Sequence, residues 1–272
     1  MILYPNAKIN LGLNVIERRA DGYHNIETVF YPIGLSDVLE VEPSVTCSDY
    51  SFSSSGITLD GDPEDNLIVK AYRLLRREYQ FPAVDISLYK QIPFGAGLGG
   101  GSSDAAFMLK GLNELFKLKI TTKKLERLAA KLGADCPVFI QNKPVFATGI
   151  GNVFTQIDLT LKDKFLVLVK PDIHVSTPEA YSLVVPVKSE ISLDVLIQSP
   201  LVEWKDTIKN DFEKSVFAKY PAIEDLKNKL YKMGAVYASM SGSGSSVYGI
   251  FESEPLKNDL FEDCFVVGGI LE

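Results

Sequence analysis

The chain has 272 residues, 46% of them hydrophobic and 23% charged, with a formal net charge of −7. That length accommodates a full core and predicts two domains, and the composition is that of an ordinary soluble globular protein. The acidic balance disfavours a nucleic-acid binder. Cys47, Cys136 and Cys264 are odd in number and unclustered, so neither a disulfide framework nor a zinc site is expected, and they fit a reducing cytoplasm. The first residues lack a basic region followed by an apolar run, so no signal peptide is expected. No apolar stretch approaches the roughly 20 residues that span a bilayer.

Residues 7–16 alternate. Ile9, Leu11, Leu13 and Val15 point one way, and Lys8, Asn10, Gly12 and Asn14 the other, which predicts a strand with one buried and one polar face. Lys8 is then either a solvated edge-strand lysine or, with its neighbour Asn10, part of a site. An Asp-Gly turn at 21–22 precedes Tyr23 and His24, and residues 26–33 resume strand character. A lone histidine is more often structural, but beside an aromatic on a loop it could read the edge of a planar ligand. Residues 38–41 predict a strand. Residues 43–65 are polar and turn-rich, and their acidic cluster lacks calcium-loop spacing, so a solvated loop is expected. After Asn66, the apolar spacing from Leu67 to Leu75 predicts an amphipathic helix ending in Arg76 and Arg77. Residues 84–88 predict a strand, with Lys90 close behind.

Residues 93–106 read Pro-Phe-Gly-Ala-Gly-Leu-Gly-Gly-Gly-Ser-Ser-Asp-Ala-Ala. Gly95, Gly97, Gly99, Gly100 and Gly101 have little to bury and cost backbone entropy to order, so a close approach to a ligand is expected. Ser102, Ser103 and Asp104 are N-cap types before a helix over about 103–116. A glycine loop feeding a helix N-terminus suits a phosphate. A flexible linker does not end in a capped apolar helix. G-x-G-x-x-G is matched, but a second helix at 122–132 stands where the dinucleotide fingerprint needs a strand, and no Gly-Lys-Ser/Thr marks a Walker loop.

Asp135, before Cys136 and Pro137, reads either as a helix N-cap or as a catalytic carboxylate. Residues 147–152 form a glycine turn at the expected exit from a first domain, 1–154, into a second, 155–272. Residues 165–169 predict a buried strand. Ser176 and Glu179 have capping-box spacing around Thr177, with Tyr181 in the first turn. Helical patterns follow at 193–198, 205–218 and 222–233. Two strands then flank Ser241–Gly244, whose extra glycines suggest close approach to a ligand or to the other loop. A short helix near 255–261 and a strand at 264–271 end the chain.

Five segments carry a resemblance: Ala7-Lys8-Ile9-Asn10-Leu11, Arg19 to His24, Asp65-Asn66-Leu67-Ile68, the triple-glycine loop, and Gly133-Ala-Asp135-Cys-Pro137. With the late Ser-Gly-Ser-Gly hairpin they resemble the GHMP kinases over nearly the whole chain. The resemblance is stronger to members whose acceptor is a cytidine diphosphate-linked methylerythritol, in the non-mevalonate route to isopentenyl diphosphate. It implies an α+β, two-domain fold: an N-terminal domain like ribosomal protein S5 domain 2, a ferredoxin-like C-terminal domain, and an active-site cleft between them. It implies an ATP-dependent phosphotransferase with an alcohol acceptor, using Mg2+, and no nucleic-acid or membrane partner. Residues 95–104, including Leu98, would wrap the ATP phosphates, with Asn66, Lys90 and Pro93 by the nucleotide. Lys8 and Asp135 would be the catalytic pair. Tyr23 and Tyr181 would sandwich the cytosine, His24 would pair with its edge, and Asn10 and Thr177 would lie near the substrate. Ser103 is the candidate magnesium ligand. Phosphoryl transfer needs positioning and charge neutralisation more than covalent work. The runner-up is a kinase of the same family with a mevalonate- or sugar-type acceptor, which has no use for an aromatic pair.

Overall fold

The structure is a computed structural model that describes residues 1–45, 47–58, 61–255 and 261–272. In chain order its strands are β1 (Ile2–Leu3), β2 (Asn6–Arg18), β3 (His24–Ser36), β4 (Val38–Pro43), β5 (Tyr50–Gly56), β6 (Val84–Lys90), β7 (Val145–Thr148), β8 (Val153–Gln156), β9 (Phe165–Pro171), β10 (Tyr237–Met240), β11 (Val247–Phe251) and β12 (Cys264–Ile270). Its helices are α1 (Leu67–Glu78), α2 (Gly100–Leu115), α3 (Thr122–Ala129), α4 (Val138–Gln141), α5 (Thr177–Tyr181), α6 (Leu193–Leu196), α7 (Trp204–Thr207), α8 (Glu213–Lys219) and α9 (Pro221–Lys232). The helix expected near 255–261 falls largely outside the described residues.

The chain divides into two compact units that interleave in sequence. Unit 1 comprises residues 1–7, 35–94 and 99–143, and unit 2 comprises residues 8–34, 95–98 and 144–272. The exit expected at 154/155 falls within β8, which pairs antiparallel with β7 in unit 2.

Unit 1 is a sheet of order β1-β4-β6-β5 with α1 and α2 on its core. Asn66 starts α1 by accepting the Ile68 N–H at 2.9 Å, and Ile68, Val69, Ala71, Tyr72 and Leu75 form its buried stripe. Arg76 and Arg77 lie in its last turn, where cations suit the helix dipole. β5 is a departure from the expected loop. Its serines pair in register with β6, parallel, and only Tyr50 and Phe52 pack on the core. A polar edge strand has weak apolar alternation, so its periodicity is faint.

Unit 2 holds two sheets, of orders β2-β3-β7-β8 and β10-β11-β9-β12. The second is antiparallel throughout. With α9 leading into β10, this is the split arrangement of a ferredoxin-like domain. Two expectations are corrected here. The helix expected at 205–218 is broken into α7 and α8 because β2 engages the backbone between them: the Leu13 N–H donates to Lys209 O at 2.9 Å, and the Asp211 N–H to Leu13 O at 2.8 Å. The polar face of β2 is also not solvated, since Lys8 and Asn10 are 3% and 2% exposed.

Candidate active site

The glycine run passes from unit 2 to unit 1 between Leu98 and Gly99. In unit 2, Gly95 and Gly97 have φ of +57° and +74°, a conformation that disfavours a Cβ. Their surroundings are equally restrictive. A Cβ on Gly97 would stand 1.9 Å from Ser241 O, and one on Gly95 would stand 2.8 Å from His174 Nδ1. The late hairpin loop is sewn to this stretch: Ser241 Oγ donates to Gly97 O at 2.8 Å, and the Ser246 N–H donates to Ala96 O at 3.4 Å. Of the two hairpin glycines, Gly242 lies against the other loop, where a Cβ on it would stand 3.3 Å from Gly97 Cα, whereas a Cβ on Gly244 would meet Met240 Sδ of its own hairpin at 2.8 Å.

Lys8 lies on this assembly. Its N–H donates to Leu98 O at 3.0 Å, and its Nζ donates to Asn10 Oδ1 at 2.7 Å and to Gly97 O at 2.9 Å. A buried ammonium requires such acceptors, and the solvated-edge reading of Lys8 is excluded. Asn10 is fixed in turn, because its Nδ2 donates to Thr28 Oγ1 at 2.9 Å and Thr28 Oγ1 donates to Gly12 O at 2.6 Å. Thr28 and Ser241 were not among the expected site residues. Thr28 is hidden in an apolar strand, and Ser241 in a motif that a plain hairpin also explains.

In unit 1, α2 begins at Gly100. Gly99, with φ +70°, is its N-cap and makes no side-chain cap hydrogen bond. Ser102, Ser103 and Asp104, expected as cap residues, lie inside the first turns. The glycines allow the helix to start early. Its first N–H groups lack intrahelical acceptors, and the dipole adds partial positive charge there. A Cβ on Gly100 would meet Ile92 Cγ2 at 2.8 Å and Lys90 Nζ at 3.0 Å. A Cβ on Gly101 would meet nothing nearer than Leu67 Cδ1 at 3.8 Å, an ordinary contact.

Lys90 is 1% exposed, and its ammonium donates to Asp37 Oδ2 and, at 2.8 Å, to Asp104 Oδ2. Asp37 Oδ1 also accepts the N–H groups of Gln91 and Ile92, at 2.6 and 2.8 Å. One cation thus faces two carboxylates in a dry site. Burial pushes the Asp104 carboxyl up to about 7, Lys90 opposes the shift, and Asp37 adds to it. A proton on Asp104 removes the uncompensated charge. Asp37 was missed because an aspartate in a short turn between strands has no distinguishing pattern.

The remaining unit 1 residues are placed as follows. Asn66 caps α1, and Pro93 is half-buried. Ser103 Oγ and Asp104 Oδ1 are buried with no hydrogen-bond partner. Asp135 is half-buried in the connection between α3 and α4, and α4 has Pro137 as N-cap with no side-chain cap bond, so the capping reading of Asp135 is not met. Burial raises the neighbouring Cys136 thiol to about 11, out of the reactive range. No group of three or more His, Cys, Asp or Glu among the described residues could hold a metal ion.

The aromatic residues gather in unit 2. The Tyr181 ring stacks on His24 (centroids 4.6 Å apart, planes 18° apart) and meets Phe212 edge-on at 4.6 Å. Tyr23, in the turn before β3, is 62% exposed. The capping box predicted at Ser176 and Glu179 is present and sets the start of α5, with Thr177 exposed beside it. Lys219, the Ser176 N–H and Tyr220 hold the Glu179 carboxyl down at about 2. That carboxylate anchors the helix carrying Tyr181.

Comparison with known proteins finds the pattern described as GHMP kinases N terminal domain over residues 66–143, and that described as GHMP kinases C terminal over residues 194–263. A 4-diphosphocytidyl-2-C-methyl-D-erythritol kinase of Bacteroides fragilis is 59% identical, over 93% of each chain. One from Parabacteroides distasonis is 56% identical over 100% of both. A crystal structure of a 4-(cytidine 5'-diphospho)-2C-methyl-D-erythritol kinase superposes with a TM-score of 0.80 at 33% identity, covering 93% of this chain and 91% of the other. No helix among the described residues is long and apolar enough to cross a membrane.

Proposed function

Because the chain belongs to the GHMP kinases, with their two-domain α+β fold, we propose that it transfers the γ-phosphate of ATP to the 2-hydroxyl of 4-diphosphocytidyl-2-C-methyl-D-erythritol. The reaction belongs to the non-mevalonate route to isopentenyl diphosphate and takes place in the cytoplasm. The observation that carries the nucleotide half of this reading is the start of α2: it has no side-chain cap, and a Cβ on Gly101 would make only an ordinary contact, 3.8 Å from Leu67 Cδ1, so the fold does not demand a glycine there. Backbone N–H groups at such a terminus suit a phosphate tail.

Residues 1–154 form the ATP-binding domain in this reading, and residues 155–272 the C-terminal domain. Residues 95–104 wrap the phosphates, with Asn66 and Pro93 by the nucleotide. Lys90 serves it indirectly, by pairing with Asp37 and Asp104 beneath Gly100. Asp135 accepts or orients the proton of the attacking hydroxyl, and Lys8 offsets the charge that develops on that oxygen. Asn10 keeps the Lys8 amine in place through their hydrogen bond. Tyr23, His24 and Tyr181 take the planar cytosine, and Thr177 the adjoining part of the substrate. The donor set fits Mg2+, which keeps several waters and relies on phosphate oxygens more than on a protein cage. The unpartnered Ser103 hydroxyl is the ligand this chain offers. Bound with the nucleotide, the ion neutralises phosphate charge.

The test is ADP release with three acceptors. The cytidyl-linked methylerythritol should support turnover, with kcat/KM at least a hundredfold above mevalonate or galactose. Equal or better turnover of mevalonate or galactose moves the chain to another branch of the family. ADP release with none of the three rejects the kinase assignment.

A further inference from the structure

His174 lies in the segment between β9 and α5, and nothing above gives it a task. Its neighbours are firmly held. The Ile173 N–H donates to Pro171 O at 2.7 Å, Ile173 O accepts from Ser245 Oγ at 2.5 Å, and Val175 is 3% exposed. His174 itself is exposed, so a fixed backbone presents its ring outward. That ring fills the space beside Gly95: the position of a Gly95 Cβ lies 2.8 Å from His174 Nδ1 and 2.9 Å from Cε1. Among the described residues the imidazole has no hydrogen-bond or ion-pair partner.

An unpartnered imidazole held against the first glycine of the run is a side-chain donor added to a segment that otherwise offers only backbone. We propose that His174 contacts substrate by donating from the imidazole to a diphosphate oxygen lying along Gly95. The inference rests on the kinase reading above. Two diphosphates meet the description, the tail of the nucleotide and the diphosphate of the cytidyl acceptor. The segment lies against Gly95 through His174 and leads into α5, which carries Tyr181, so its position admits either.

The test uses His174→Phe, which keeps a flat ring on Gly95 without nitrogens, and His174→Gln, which restores an N–H. Calorimetric titration with ADP and, separately, with CDP is run on the full chain, alongside the two KM values and kcat. A hydrogen bond to a charged group is worth about tenfold or more in affinity. The expected result is a loss of about that size in H174F for one of the two diphosphates and the matching substrate KM. Turnover stays within about threefold, and H174Q recovers most of the loss. The ligand that loses affinity identifies the source. Wild-type-like affinity of H174F for both makes the ring a packing element and overturns the proposal. An equal loss for both, or a lower melting temperature with unchanged affinities, also overturns it, because either marks a general disturbance of the loop. If the unaltered protein binds neither ADP nor CDP, the kinase reading fails and this inference fails with it.

Discussion

Gly97 and Gly101 belong to one run, yet their neighbourhoods differ. At Gly97 the chain itself occupies the missing side chain's place, with Ser241 O 1.9 Å from where a Cβ would stand and φ at +74°. At Gly101 the nearest atom is a leucine methyl at 3.8 Å, in a helical backbone where alanine is otherwise preferred. The first glycine is demanded by the fold. The second costs helix stability and meets no close contact of the fold, which accords with the phosphate role proposed for it above. A glycine-rich loop therefore mixes two requirements that composition alone does not separate.

The contrast can be broken most forcibly at Gly97. Gly97→Ala combines a forbidden contact with a strained φ and is expected to cost about 4 kcal/mol or more. That appears as a melting temperature lower by roughly 10 °C or as insoluble protein. A G97A chain that melts like wild type removes the distinction. Next in size is Asp135→Ala, expected to lower turnover by about a hundredfold or more while ADP affinity, read by titration, stays unchanged. Retained turnover takes Asp135 out of the mechanism.

Asp104 sharpens the contrast from the other side, because it anchors the start of α2 from beneath. Its carboxyl is raised from 3.8 to about 7 in the folded chain. Between those values the folded state holds a proton that the unfolded state releases, so this contribution to stability is present at low pH and is lost as pH rises through about 7. Asp104→Asn should flatten that fall, worth on the order of 1–3 kcal/mol, in melting curves taken from pH 4 to 8 and compared with wild type. Parallel curves would show that the cluster does not titrate. The smallest expected effect is at Gly101. Gly101→Ala should leave stability unchanged or raise it by up to about 1 kcal/mol, yet weaken ADP binding by about tenfold (roughly 1.4 kcal/mol). The sign of the two changes, stability up and affinity down, is the point of that variant.

Much of this was legible beforehand wherever one element carried its own signal. The alternation of β2, the amphipathic spacing of α1, the Ser176 capping box and the uninterrupted apolar run of β9 all declare themselves locally. The failures share a cause. The break between α7 and α8 is made by a strand distant in sequence, β5 is stabilised by a neighbour rather than by its own pattern, and Lys90 reads as a ligand-facing lysine until Asp37 and Asp104 are seen around it. Among the candidate site residues, those at 8, 10, 24, 135 and 181 were expected from motif and resemblance. Thr28 and Ser241, which fix Asn10 and Gly97, were not, because holding a functional group requires only a hydroxyl in the right place.

The most direct test is a crystal structure with a non-hydrolysable ATP analogue. The account predicts phosphate oxygens within hydrogen-bond reach of the N–H groups of residues 100–102, with the tail passing over the bare face of Gly101. A triphosphate bound away from residues 95–104, with Gly101 open to solvent, contradicts it.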